Sequence, residues 1–489
     1  MLARLPAFVE PHWYTDEAGY TTTAQGLLDG KVLYAGIWNN KPPLQLWTVA
    51  AALHFFGPSE WGLHLLTLAA ALATLGAVIW AAPQLLSRRR ALFAMFATAL
   101  LLGLPVLDAE LAVPEAFLIA FAAWAALIVI VKLRRGEGGG MLWPVGVGLL
   151  AALAIAYQQT ALADAMAIAL ILLFGPPFRL RQVVAFLLAV AVPTLTWLLT
   201  VIALAGWSNV EFALAGFYLP FTQSVLPARS FGLALYAGGL AAAIALAITG
   251  AALRRRSGAG WAIGLWAVMA LLVPAAAQQP YPHYLLPSAV PVTMFLAGLR
   301  PRLPEGRRAL GGAVALAAAA IIAGSMARGA GLDWIPPLSS HGYNSYRTLT
   351  TYYVDPLPAL ASTHSLNGWQ DKFDTRVSGD RQVAAWVKQK HLQGSTAVVW
   401  SSDAWLYATA HLDQVMPTAP IYNDFVLLGM DGQVSARVWS LAPDMIIVAD
   451  SESDEFPEIR PVLVADYQPV FEAGPDTVWL RSDLDLPAG

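Results

Sequence analysis

The sequence contains no cysteine. That excludes disulfides, a thiolate nucleophile, an iron–sulfur cluster and any cysteine-ligated zinc. Charge is almost as scarce: charged residues are 12% and hydrophobic residues 57% of the 489 positions. A soluble globular domain is typically about 25% charged. So little charge cannot cover a water-facing surface, so most of the chain must face lipid. Asn-x-Ser/Thr acceptors are also missing. An extracytoplasmic domain without disulfides fits the plasma membrane of a prokaryote better than a secretory pathway. There is no His-Glu-x-x-His motif and no nucleophile elbow. Gly26 and Gly30-Lys31 fail as a phosphate loop: three residues separate the glycines instead of four, and Val32 stands where Ser or Thr is needed. No pair among the eight histidines suggests a ligand set. No nucleic-acid partner is expected.

What is present is a series of apolar runs long enough for a bilayer of about 30 Å. They run from Trp61 to Leu86, Ala91 to Leu107, Ala112 to Val131, Met141 to Tyr157 and Thr160 to Phe174. Others run from Gln182 to Ala205, Phe231 to Leu253, Trp261 to Ala277, Tyr284 to Leu299 and Ala309 to Ala327. One set of alternate loops holds fifteen Lys and Arg, in clusters such as Arg88 to Arg90, Lys132 to Arg135 and Arg254 to Arg256, while the opposite short loops hold Arg229 alone. The positive-inside rule places the first set in the cytoplasm. The segment before Trp61 and everything after Arg328 are then extracytoplasmic. An external start without an apolar run has no evident means of translocation. We expect either a further helix upstream, which is the favoured reading, or transfer driven by the spans that follow.

The expected organisation is an external loop with juxtamembrane helices (1–60), a bundle of about ten helices (61–327), a linker (328–375) and an extracytoplasmic α/β domain (376–489). In the last of these, Arg376 to Leu392 has helical periodicity and Thr396 to Trp400 reads as a buried strand. Val434 to Leu441 reads as a helix leading into a strand at Met445 to Val448. Gly474-Pro475 suggests a hairpin between strands at Val470–Phe471 and Thr477–Leu480.

Candidate chemistry gathers on the external side. Asp16 and Glu17 precede a helical pattern, and Thr15 or Asp16 would serve as its N-cap with Glu17 favoured by the helix dipole. The functional alternative makes Asp16 a general base, since a helix N-terminus favours an ionised carboxylate. Lys41, in Trp38-Asn39-Asn40-Lys41-Pro42-Pro43, is either a snorkelling interface lysine or a phosphate ligand. In Asp108 to Glu115, Pro114 and Glu115 suit the first turn of a helix. An acid this close to hydrocarbon is also a functional candidate. Tyr281 and Tyr284 suit an interfacial aromatic belt, which explains His283 less well. Asp164 lies within a span, as a site residue or a structural partner.

The stretches around Thr15 to Tyr20, Leu27 to Tyr34 and Trp38 to Trp47 resemble the first external loop of GT-C glycosyltransferases. They are most similar to the protein O-mannosyltransferase and aminoarabinose-transferase families (glycosyltransferase families 39 and 83). An Asp-Glu pair, a Gly-x-x-x-Tyr stretch and Lys-Pro-Pro follow one another in the same order, and the likeness extends from about Pro11 to Gly298. It implies a GT-C-like polytopic α-helical membrane protein in which Asp16, with its neighbour Glu17, is the base or acceptor-positioning group. It also implies that Lys41 lies near the lipid phosphate. A second acid at the start of the next span corresponds to Glu115, with Glu110 as rival; relatives usually have Asp there. His283-Tyr284 matches a His-Tyr-x-x-Pro stretch and would bind donor phosphate or sugar. Some relatives use a divalent cation; no ligand is assigned by the resemblance.

The function so implied is inverting transfer of a sugar from a polyprenyl-phosphate donor in the bilayer to an extracytoplasmic glycan, lipid or protein acceptor. The topology agrees, because nucleotide sugars are not made outside the cytoplasm whereas a lipid-linked sugar can cross to that side. Two alternatives are a non-enzymatic carrier or flippase of lipid-linked saccharides, and a scaffold. A flippase would line its route with charges in several spans.

Overall fold

The structure, a computed structural model, describes residues 2–218, 259–277, 282–298, 352–353, 363–401, 404–418, 431–449 and 459–484. The expected spans Phe231 to Leu253 and Ala309 to Ala327, Arg229, the basic loops after Leu253 and Leu299, and most of the linker lie outside these residues. The helices are α1 (Thr15–Leu28), α2 (Pro43–Phe56), α3 (Glu60–Leu85), α4 (Arg88–Gly103), α5 (Pro114–Arg135), α6 (Leu142–Tyr157), α7 (Leu162–Phe174), α8 (Leu180–Ala205) and α9 (Trp207–Glu211). They continue with α10 (Gly260–Ala277), α11 (Ala289–Gly298), α12 (Thr363–Gln370), α13 (Arg376–Gln389), α14 (Trp405–Thr409), α15 (Asp431–Leu441) and α16 (Arg460–Asp466). The strands are β1 (Thr396–Trp400), β2 (Asp413–Gln414), β3 (Met445–Ala449), β4 (Tyr467–Ala473) and β5 (Asp476–Arg481). The protein is a polytopic helical membrane protein with a small C-terminal α/β domain. Among the described residues, α3, α5 and α8 are long and apolar enough to cross a bilayer. The chain divides into two compact units.

The first unit comprises Met1–Leu5, Leu65–Trp197 and Ala228–Ser340. Pro114 opens α5 at its first position, where a missing N–H costs nothing. Lys132, Arg134 and Arg135 sit in its last turn, where cations suit the helix dipole. Gly136, at φ 71°, closes it: Gly136 N donates to Leu133 O and Glu137 N to Lys132 O. α5 packs against α6 and α7, and α10 against α7 and α11. Two polar pairs inside this bundle join neighbouring helices, as an apolar surround favours. Trp266 Nε1 donates to Asp164 Oδ1 at 2.7 Å, and Thr98 Oγ1 lies 2.9 Å from Thr293 Oγ1. Asp164 is thus a partner of α10. The run expected as a helix from Tyr284 instead opens as a 3-10 segment, Pro282–Ser288, before α11. Pro287 cannot donate the α-helical hydrogen bond that a continuous helix needs there.

The second unit comprises Pro6–His64, Leu198–Pro227 and His341–Gly489. Its sheet has the order β2-β1-β3-β5-β4. β1 runs parallel to β2 and β3, whereas β5 is antiparallel to β3 and β4. Val398, Trp400, Ile446 and Val448 from the strands are buried with Val438 of α15 and Val462 and Leu463 of α16. α13 packs on the hairpin, with Trp386 stacked on Phe471 at 5.1 Å. Gly379 makes that approach close: a Cβ there would lie 2.6 Å from Ala473 O. α1 and its loop are joined to the same unit. Thr22 Oγ1 donates to Ala404 O at 2.9 Å, Lys31 Nζ pairs with Asp413 at 3.1 Å, and Trp38 bridges Thr418.

Candidate active site

The second unit holds Asp16, Glu17 and Lys41. Tyr14 is the N-cap of α1 and makes no side-chain capping bond, so neither Thr15 nor Asp16 is the cap. Asp16 lies in the first turn and is half-buried. Its neighbour Glu17 is 1% exposed, and its Oε1 lies 3.5 Å from His64 Nε2. Glu60 Oε2 is also 3.5 Å from that nitrogen. Successive helical positions diverge by about 100°, so one turn presents the two acids in different directions.

Lys41 is buried. Its N–H donates to Asn39 Oδ1 at 3.2 Å, and Tyr34 Oη donates to Lys41 O at 2.7 Å. Asn39 Nδ2 in turn donates to Thr23 Oγ1 on α1, and Tyr218 Oη donates to Asn40 O. Pro42 and Pro43 then stop the loop and start α2. The lysine's backbone is therefore fixed to α1, which carries Asp16. Burial pushes the Tyr34 hydroxyl well above its ordinary pKa, so it stays a donor. In the same segment His12 Nε2 donates to Pro58 O at 3.0 Å and its ring packs on Trp405. Burial pushes the His12 imidazole down to about 4, the Pro58 carbonyl opposing and His64 adding to the shift.

The first unit holds Glu115, His283 and Tyr284. His283, 3% exposed, places Nδ1 at 3.6 Å from Asp108 Oδ2. Tyr284 is half-buried with its ring edge-on to His283 at 4.8 Å. Glu115 is buried in the first turn of α5, with Gln158 Nε2 at 3.4 Å from its Oε1. Its Oε2 has no hydrogen-bond partner among the described residues. Glu110 is buried, and its main-chain oxygen accepts from Thr67 Oγ1 at 2.8 Å. Arg4 holds the same segment, donating to Leu102 O at 2.8 Å and to Ala109 O.

Sequence reasoning passed over Asp108, Glu60 and His64. Asp108 had a signal: it opens the acidic stretch in which Glu110 and Glu115 were weighed. Its φ of 51° is a left-handed conformation that Asp and Asn tolerate better than other non-glycine residues. Glu60 and His64 also had a signal, an i, i+4 spacing that puts both on one face of α3. A search for paired histidines misses one histidine facing two acids.

A family model described as Dolichyl-phosphate-mannose-protein mannosyltransferase matches residues 40–206. Over that third of the chain the sequence is similar to this mannosyltransferase family. The matched segment begins at Asn40, beside Lys41, and ends after α8. Two crystal structures share the fold. ArnT from Cupriavidus metallidurans bound to undecaprenyl phosphate aligns with a TM-score of 0.59 at 16% identity, covering 100% of this chain and 97% of that one. The apo form of the same protein gives a TM-score of 0.60 at 15% identity, covering 98% and 95%. No curated protein matches by sequence. The expected polytopic helical architecture with a C-terminal α/β domain is therefore a fold shared with these structures.

Proposed function

We propose that the chain transfers a sugar from a polyprenyl-phosphate donor to an extracytoplasmic acceptor, with inversion. The observation that carries this reading is the mannosyltransferase family match, which begins beside Lys41, together with a loop that ties Lys41 to the helix bearing Asp16. It is supported by the undecaprenyl phosphate bound to the similarly folded ArnT. The acceptor oxygen attacks the anomeric carbon as the bond from that carbon to the phosphate oxygen breaks. Asp16 takes the acceptor proton. Lys41 stabilises the negative charge on the departing polyprenyl phosphate, where a fixed ammonium is most effective. In this reading the active site, α1 and the C-terminal domain face outside the cytoplasm, as the Lys and Arg distribution requires. Asp164 accepts a hydrogen bond from Trp266, which suits a bundle partner better than a carrier's polar route.

The test is an assay of purified protein with undecaprenyl-phosphate-linked sugars and an acceptor. Wild type should release undecaprenyl phosphate with acceptor glycosylation, and Asp16→Asn should not. An Asp16→Asn protein with near-normal turnover would remove the base from this mechanism.

A further inference from the structure

The buried junction of α1 and α3 has no role in that mechanism. Glu17, Glu60 and His64 are 1%, 5% and 2% exposed. One carboxylate oxygen from each glutamate and the His64 ring nitrogen all lie within 4.8 Å of one another. The histidine is oriented: its Nδ1 donates to Ala7 O at 2.5 Å. In the neutral ring, that bond turns the Nε2 lone pair toward the two carboxylates. Metal-ligating histidines typically donate their other ring N–H to a carbonyl or carboxylate in this way, which fixes the ring.

Two ways of holding these groups together differ in geometry. A protonated imidazole would aim one Nε2–H at one oxygen at about 2.7–3.2 Å. Here Nε2 is 3.5 Å from both Glu17 Oε1 and Glu60 Oε2. Two atoms bound about 2.0–2.2 Å from a common tetrahedral centre are separated by roughly 3.3–3.6 Å. The two nitrogen–oxygen spacings match two edges of such a tetrahedron. Access exists as well. Glu60 lines a cavity of about 520 Å³ with Glu10, His12, Asp380 and Arg381.

We propose that Glu17, Glu60 and His64 form a binding site for a divalent transition cation of the zinc class, with one position left for water. One imidazole and two carboxylates are a donor set that such cations accept, three protein ligands and an open position. The ion fastens the first turn of α1, and hence Asp16, to the first turn of α3. Its role is positional and does not depend on which sugar or acceptor the enzyme uses.

The test is metal analysis of the full-length protein, purified without a polyhistidine tag or chelator from zinc-supplemented cells. Close to one zinc per chain is expected, falling at least tenfold in Glu60→Gln and His64→Gln. Should those variants fail to fold, wild type stripped by chelator and refilled carries the test. Zn²⁺ should raise Tm by about 5 °C or more, and Co²⁺ should give the visible absorption of a tetrahedral site. Metal-free wild type whose Tm does not respond to Zn²⁺ would overturn the proposal and leave a protonated His64 between two acids. Undiminished zinc in both variants would overturn it too, placing the ion elsewhere.

Discussion

His64 and His283 are both buried beside acids, yet they are built differently. His64 and its acids Glu17 and Glu60 stand on regular helices, α3 and α1. His283 sits on a 3-10 segment, and its acid Asp108 on left-handed backbone. The first arrangement gets its geometry from helical periodicity. The second needs a particular chain path, kept in place by Arg4 and Thr67. A side chain on a regular helix can therefore be replaced with little backbone consequence. One on an irregular segment couples its chemistry to the local conformation.

The largest expected effect is at Asp16. Asp16→Asn removes the proposed base but little volume, so turnover should fall about 10²–10⁴-fold while Tm in detergent and donor binding stay near wild type. A large Tm loss would show that this helix-borne acid is structural. Next comes Lys41→Ala, which should weaken binding of undecaprenyl phosphate and lower turnover by about 10²-fold or more, as loss of an electrostatic stabiliser does. Unchanged lipid affinity in a titration would separate Lys41 from the phosphate. At the irregular site, Asp108→Asn keeps a residue tolerant of φ 51°, whereas Asp108→Ala does not. The Ala variant should be about 1–2 kcal/mol less stable than the Asn variant, measured by denaturation in the same detergent. Equal stabilities would show that the left-handed backbone carries no strain. The smallest effect concerns His12, whose imidazole is pushed down to about 4 from 6.5. The unfolded chain then binds the extra proton first. Stability is whole above about pH 6.5 and declines as pH falls toward 4, by up to about 3 kcal/mol. His12→Gln should flatten that part of the pH profile; an unaltered slope would assign it to the carboxylates.

The same contrast explains what could be read beforehand. Apolar runs delimit α3, α5, α6 and α8 closely, because lipid or close packing demands the same composition along their whole length. Thr396–Trp400 is legible for the same reason, being a β-branched run between turns. The two-residue β2 and the five-residue α14 are too short to have a period. Residues in polar, Pro-rich stretches, such as Lys41 and His283, stand out as candidates. His64 does not, because it lies inside an apolar helical run that already has an explanation. The grouping of α1 with the C-terminal sheet has no local signature at all: it rests on Thr22–Ala404 and Lys31–Asp413, pairs chosen by the fold.

Those pairs also set an order of events. Thr22 and Ala404 are 382 residues apart. At roughly 5–20 residues per second, α1 waits on the order of 20–80 s after its own synthesis for the segment that completes its hydrogen bonds. During that interval its polar side chains must be satisfied by water or lipid headgroups, and the half-buried Asp16 has yet to gain its final surroundings. Any cut that removes the C-terminal domain makes the wait permanent. Truncation at a point far from α1 in sequence therefore acts on the acid-bearing helix, which is complete only once the last quarter of the chain has been made.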